Sequence, residues 1–291
     1  MKVAVIGGAG RMGKWLVNYF KKGGHEVIVS DARREEAEAF AQSTGSIFAK
    51  NNIEAAKNAE VIVVSTPIYV TPKVLNEIYP KIGGSSIIVE ISSLKSQVYA
   101  VLKKVAAKGV RTVSVHPLFG PGVTETRGEK IALVPVSDPS FEFRAAESLF
   151  PGVELVVVDA EEHDEAMAAA LSLPHFLNIA FASVVGQKDL NVLKKLGGTT
   201  FALQLILSEG VMTEDSSLYA SIQMDNKFSA HILEQFVTNA ETLKKHVKDR
   251  DLKAFTQFYT DIQTALTKDG DYGTAYEKMY KALEAAQKAA K

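Results

Sequence analysis

The chain opens on Lys2-Val3-Ala4-Val5-Ile6-Gly7-Gly8-Ala9-Gly10-Arg11-Met12-Gly13, and the reading of this stretch decides the fold. Residues 3–6 are apolar and rich in β-branched side chains, the pattern of a strand buried on both faces of a parallel sheet. Gly8, Gly10 and Gly13 fit G-x-G-x-x-G, and Met12, Trp15, Leu16, Tyr19 and Phe20 then recur at helical spacing. Strand, tight turn and helix in that order form a phosphate-binding unit. The first glycine permits the turn, the second lets backbone N–H groups approach a pyrophosphate, and the third lets helix and strand pack closely. The phosphate rests on the positive end of the helix, where Arg11 and Met12 begin the first turn.

A second strand pattern, residues 26–30, ends in Asp31, at about the 20-residue distance where a dinucleotide-binding unit places the carboxylate for the adenosine ribose. Asp31 would bind a ribose diol and repel a 2′-phosphate, which favours NAD. Arg33 and Arg34 follow directly; they either grip the 2′-phosphate of NADP or form a solvated helix start. NAD is the expectation, with NADP left open.

Strand patterns recur at 60–65, 86–91, 111–115, 131–136 and 154–158, with helical patterns at 33–41, 71–79, after Lys95 and at 140–149. Alternation of this kind implies an α/β fold, a Rossmann-type doubly wound parallel sheet with right-handed crossovers. All 9 prolines lie at or before Pro174, and Ala, Leu, Lys, Glu and Gln dominate beyond it. Helices are expected at 161–185, 189–208, 215–247, 251–266 and from about 272. The expected division is therefore a dinucleotide-binding domain, residues 1–159, and a helical domain, residues 160–291. The stretch 166–185 is apolar nearly all round, as suits a helix buried between domains or subunits.

Composition excludes several function classes. The 33 Lys and Arg against 34 Asp and Glu leave a net charge of -1, no footprint for nucleic acid or an anionic membrane. The absence of cysteine rules out disulfides, thiolate metal sites and a cysteine nucleophile. No metal site is expected, because the 6 histidines are scattered without a pair at helical ligand spacing. The N-terminal apolar run is too short for a signal peptide and no later run approaches about 18 residues, so a soluble cytoplasmic protein is expected.

In open α/β sheets, ligands bind beyond the carboxyl ends of the strands, which selects Thr66-Pro67, Ser92-Ser93 and His116. His116 is the natural base. An imidazole of ordinary pKa, about 6.5, is mostly neutral at pH 7 and can accept a hydroxyl proton as hydride leaves the same carbon.

The motifs resemble those of prephenate dehydrogenases. The resemblance rests on G-G-A-G-R-M-G, Ser92-Ser93-Leu94-Lys95, His116-Pro117-Leu118-Phe119-Gly120-Pro121, Leu173-Pro174-His175 and Leu218-Tyr219-Ala220-Ser221-Ile222, in family order. It implies oxidative decarboxylation of prephenate to 4-hydroxyphenylpyruvate in tyrosine biosynthesis. His116 would bind and deprotonate the ring hydroxyl, and Ser93 would hydrogen-bond the same region. The resemblance also implies a helical C-terminal dimerisation domain and hence a homodimer. His175 would line the substrate or nicotinamide pocket, or be a satisfied core histidine; His163, in E-x-H-D, matches a less specific position. One departure stands out. Where many members carry an arginine that grips a substrate carboxylate, this chain has Gly210, so a cation must come from elsewhere, with Arg127, Lys130 and Lys227 as candidates. Arogenate, with an amine in place of the side-chain keto group, stays open as substrate. A relative of β-hydroxyacid dehydrogenases or imine reductases, and a nicotinamide-binding regulator without turnover, are the competing readings.

Overall fold

A computed structural model describes residues 1–289. In chain order the first half comprises β1 (Lys2–Ile6), α1 (Arg11–Lys22), β2 (Glu26–Ser30), α2 (Arg34–Thr44), β3 (Ile47–Phe48), α3 (Asn52–Lys57), β4 (Val61–Val64), α4 (Thr71–Ile78), β5 (Ile87–Glu90), α5 (Ser96–Ala106), β6 (Arg111–Pro117), β7 (Lys130–Leu133), α6 (Pro139–Leu149) and β8 (Glu154–Val157). The strands form one sheet in the order β3-β2-β1-β4-β5-β6-β7-β8. Val3, Ala4 and Val5 of β1 are fully buried, because both faces of the sheet carry helices. On one face, Leu16, Val17 and Phe20 of α1 pack on Val3, Val5 and Val29; on the other, Val74 and Leu75 of α4 and Leu102 of α5 pack on Ile6, Ile62 and Ile88.

β1 is flanked by β2 and β4, both parallel to it. The strand order reverses between β1 and β4, and in open α/β sheets ligands bind beyond the carboxyl ends of the strands at such a switch point. The glycine loop and Thr66-Pro67 stand there. β3 and α3 carry no periodic signal, being two and six residues long, and the sequence did not reveal them.

Two expectations for this region need correction. The sheet is mostly parallel rather than wholly so: β7 runs antiparallel to β6. A parallel return needs a crossover, usually helical, whereas residues 118–129 form an extended loop without a helix. The glycine that makes the first turn is Gly7, not Gly8. Gly7 has φ +84°, and a Cβ on it would lie 2.3 Å from the Ser65 carbonyl oxygen. Gly13 does have the expected packing role, since its Cβ would fall 2.0 Å from the Gly7 carbonyl oxygen.

The second half is helical: α7 (Ala160–Met167), α8 (Leu173–Val185), α9 (Leu190–Leu196), α10 (Thr199–Met212), α11 (Ser216–Met224), α12 (Ser229–Asp249), α13 (Leu252–Leu266) and α14 (Ala275–Ala289). α7 runs into α8 through a π-helical turn, Ala168–Ser172, so the expected helix at 161–185 is continuous but not uniform. Pro174 supplies the reason: in a regular α-helix its ring would collide with a carbonyl one turn earlier. The helix expected at 189–208 is two, separated at Gly197-Gly198, and the one expected at 215–247 is two, interrupted after Met224. By packing, Met1–Met167 and Met224–Lys227 form one unit, and the helices from residue 168 onward, apart from that segment, form another.

Among the described residues one helix, 160–185, is long and apolar enough to cross a membrane, with mean hydropathy 1.6 over its most apolar window. The expectation that no stretch reaches such a length is amended accordingly. Pro174, His175 and Asn178 interrupt the apolar run, and the Ala, Leu, Ile, Phe and Val around them keep its average high. Asn178 is buried and accepts hydrogen bonds from Gln204 (2.8 Å) and Ser208 (2.9 Å) of α10, a polar lock between two helices of the second unit.

Candidate active site

The glycine loop is held from below by Asp31. One carboxylate oxygen accepts from the Ala9 amide at 3.0 Å, and the other accepts from the Arg33 amide and side chain. Arg33 also reaches Glu36, so two carboxylates share its guanidinium. Gly10 caps α1 without a side-chain hydrogen bond, and the first turn holds no acidic residue. The positive end of α1 is thereby left for an anion, and at Gly7 and Gly13 the loop packs so closely on backbone of Ser65 and of Gly7 that any Cβ would collide. These residues fit a dinucleotide pyrophosphate. Half-buried Met12 packs against the core, while Arg11 is exposed at the start of α1. Beside them, the Thr66 hydroxyl pairs with that of Thr71 at 2.9 Å, fixing the loop that Pro67 continues after β4.

The end of β6 carries a polar column on one face of the sheet. Thr112, Ser114 and His116 alternate there with the core residues Val113 and Val115, and Glu90 of β5 lies beside Ser114. Glu90 accepts from the Ser114 hydroxyl (2.9 Å), from Lys95 Nζ (3.0 Å) and from the Ser92 amide. Lys95 also donates to the Val115 carbonyl at 2.7 Å, which pins the backbone just before His116. Both members of the Lys95–Glu90 pair are fully buried.

His116, 5 % exposed, directs Nδ1 at Nε2 of His163 on α7, 3.0 Å away. His163 Nδ1 lies 2.8 Å from Asp164 Oδ1. Asp164 in turn accepts from the Lys95 and Ser96 amides, each at 2.8 Å, and from the Ser96 hydroxyl. Burial, then the charges of Lys95 and His163, drive the His116 pKa well below its ordinary 6.5 against the opposing pull of Asp164. Burial alone would raise that of Asp164, but hydrogen bonds from His163, Ser96 and the Lys95 amide outweigh it and leave the carboxyl below its usual value. Lys95 is lowered by burial, in spite of Glu90 and Asp164.

The remaining sequence-predicted residues fall in different places. Ser93 is half-buried in the loop after β5, and its hydroxyl has no hydrogen-bond partner among the described residues. Arg127 is exposed and lines an open groove of about 1210 Å³ with Arg11, Trp15 and Tyr19. Exposed Lys130 faces Glu154 at 3.9 Å, and exposed Lys227 is paired with Glu161 at 2.5 Å. His175, in the second unit, packs its ring 4.7 Å from that of Tyr219, and its buried Nδ1 lacks a hydrogen-bond partner. Burial lowers its pKa. No group of acidic and histidine side chains that could hold a metal occurs among the described residues. Glu90, Lys95, Ser96 and Asp164 were missed as site residues. The available signal was the alternation Thr112, Ser114, His116, which marks one face of a buried strand as polar.

Two family models match, described as the nucleotide-binding domain of prephenate dehydrogenase (residues 16–135) and its dimerization domain (residues 159–260). The chain belongs to the prephenate dehydrogenase family. A probable arogenate/prephenate dehydrogenase of Methanocaldococcus jannaschii is 26 % identical over 288 residues, 95 % of this chain; the chain spans 63 % of that relative's length. Among solved structures, prephenate dehydrogenase from A. aeolicus, in complex with hydroxyphenyl propionate and NAD+, superimposes with a TM-score of 0.73 at 15 % identity, covering 92 % of this chain and 98 % of that one. Synechocystis arogenate dehydrogenase gives 0.66 at 18 %, covering 92 % and 99 %. At these identities the two structures speak for the fold. The glycine loop precedes the first matched span, whereas the whole His116 cluster lies within the two.

Proposed function

We propose that the chain oxidatively decarboxylates prephenate to 4-hydroxyphenylpyruvate with NAD. The observation that carries this reading is His116: a buried imidazole at the carboxyl end of a strand, held neutral by its surroundings, with one nitrogen engaged by His163 and Nε2 left for a substrate. The pyrophosphate of the dinucleotide would sit on the first turn of α1 and its adenosine ribose near Asp31. When bound, the nicotinamide supplies the hydride acceptor. His116 Nε2 takes the ring hydroxyl proton while that carbon loses hydride; the ring carboxylate leaves as CO2, and the proton returns from His116 to the phenolic oxygen as the ring becomes aromatic. A base of this kind contributes about 10²- to 10⁴-fold, and positioning of the ring supplies much of the rest. Ser93, with a free hydroxyl beside the same strand ends, orients the substrate oxygen.

NAD rather than NADP is supported by the pairing of Arg33 with Asp31 and Glu36, which leaves little positive charge for a 2′-phosphate. Arogenate is the second substrate reading. It keeps both carboxylates of prephenate and differs only in an amine for the side-chain keto group, and Gly210, where a Cβ would meet open space, supplies no arginine for either substrate. Of the three candidate cations Lys130 and Lys227 face carboxylates, which leaves Arg127, exposed on the groove beside α1, as the one put forward to serve a substrate carboxylate; a substrate role for His175 rests on the family resemblance. The helical unit exposes Leu196, Ile206, Leu207 and Met212, and we place the contact surface of a homodimer there.

Formation of reduced nicotinamide, followed by its near-ultraviolet absorbance with prephenate and NAD, tests the reading. His116→Asn should lower turnover about 10²- to 10⁴-fold while NAD binding persists. Arogenate and NADP in parallel reactions separate the finer alternatives, and absence of turnover with every pair would defeat the dehydrogenase reading.

A further inference from the structure

The cluster behind His116 is more than a set of buried contacts. Asp164 is an acceptor to every group that surrounds it: the amides of Lys95 and Ser96, the Ser96 hydroxyl and His163 Nδ1. An ionised carboxylate can only accept, so the hydrogen between it and His163 belongs to Nδ1. His163 Nε2 then offers a lone pair, and the nitrogen facing it across 3.0 Å, His116 Nδ1, must be the donor. The two rings meet edge-on at 71°, nitrogen to nitrogen. Each hydrogen is thus dictated by the group behind it, starting from the backbone amides that hold Asp164.

We propose that Asp164 and His163 are positioning residues: they fix His116 as the Nδ1–H tautomer, so that Nε2 presents its lone pair to substrate, and they share the charge His116 gains on protonation. This rests on the reading of His116 as the base. The need for such a relay follows from the surroundings. His116 is almost wholly buried near a fully buried ammonium, Lys95, whose own neutralising partner Glu90 belongs to the strand beside it. A proton accepted at Nε2 would leave an imidazolium with little water to solvate it. Passage of the Nδ1 hydrogen to His163 Nε2 moves the positive charge directly against Asp164 and leaves His116 neutral. No heavy atom moves, and the transfer reverses when the proton is returned to the phenolic oxygen.

Long-range ¹H–¹⁵N NMR of the uniformly labelled full chain with NAD bound reads the tautomers without reference to activity. The expected result is Nδ1–H on both rings; a His116 ring carrying its hydrogen on Nε2 overturns the proposal. Kinetics supply the second arm. His163→Leu removes the acceptor and should lower kcat by about 100-fold with NAD affinity unchanged, the scale of a lost general base. His163→Gln keeps an acceptor oxygen near the position of Nε2, and should recover kcat to within about tenfold of the parent although it cannot take the proton. Parent-like activity in both variants overturns the proposal; equal loss in both overturns the claim that a hydrogen-bond acceptor at this position is what orients His116. Parent-like activity in His116→Asn instead removes the base assignment itself, so the two readings fail separately.

Discussion

The glycine loop and the His116 cluster stand at the carboxyl ends of the same sheet and are built in opposite ways. The loop works by absence: without side chains at Gly7 and Gly13, backbone packs on backbone where any Cβ would collide, and a lone carboxylate, Asp31, steadies the turn. The cluster works by presence, with Glu90, Lys95, His116, His163 and Asp164 drawn from β5, the turn before α5, β6 and α7 and almost completely buried. A site made of backbone can be encoded within a dozen residues. A site made of buried charge needs partners from distant parts of the chain, since each charge must be met by another.

The contrast can be broken most forcefully at Lys95. Lys95→Met leaves Glu90 buried without its counter-charge, and should cost about 3–5 kcal/mol, a large part of the stability of an ordinary domain, read as a lower denaturant midpoint. Gly13→Ala strikes the other region. Its Cβ would meet backbone, which cannot step aside as a side chain can, and NAD affinity should fall about 100-fold, equivalent to roughly 3 kcal/mol, in a calorimetric titration. If Gly13→Ala bound normally, the loop would be no tighter than an ordinary turn.

Acidity separates the regions further. His116 has a depressed pKa in the folded chain, so between that value and about 6.5 the unfolded chain binds more protons. The stability it confers is complete above about pH 6.5 and is lost as pH falls toward the folded value. Asp164, also depressed, confers stability present above its unfolded value of about 3.9 and lost as pH falls through its lower folded one. Urea midpoints should therefore decline in two stages on acidification, and His116→Phe should remove the first. The acid limb of kcat/KM should lie below pH 6.5, since His116 stays neutral there. The smallest effect is expected at Lys227. Its ion pair with Glu161 is exposed, a contact of the kind worth about 0.2–1 kcal/mol, so Lys227→Ala should change KM for prephenate less than about threefold.

The same contrast explains what could be read from the amino-acid order. The β1–α1 unit and Asp31 were legible because their geometry depends on neighbours in sequence. The turn was assigned to Gly8 instead of Gly7 because the pattern G-x-G-x-x-G does not show which glycine takes positive φ. The reversal of β7 was hidden because a strand pattern has no direction, although the helix-free loop at 118–129 held the clue. Lys95 followed by a helix reads as a solvated lysine; only the fold brings Glu90, Val115 and Asp164 around it. His163-Asp164 was visible as a doublet, and its meaning depends on α7 lying against the turn before α5.

The burial of the Lys95–Glu90 pair has a consequence for ionic strength. Mobile ions screen charges they can surround, over about 8–10 Å at physiological concentrations, and they reach buried pairs poorly. The field that sets the protonation of His116 is therefore insulated from the salt around the protein. Arg33, half-exposed between Asp31 and Glu36 at the lip of the glycine loop, has no such insulation. Salt can tune how the dinucleotide is held while the basicity of the histidine stays where the fold has put it.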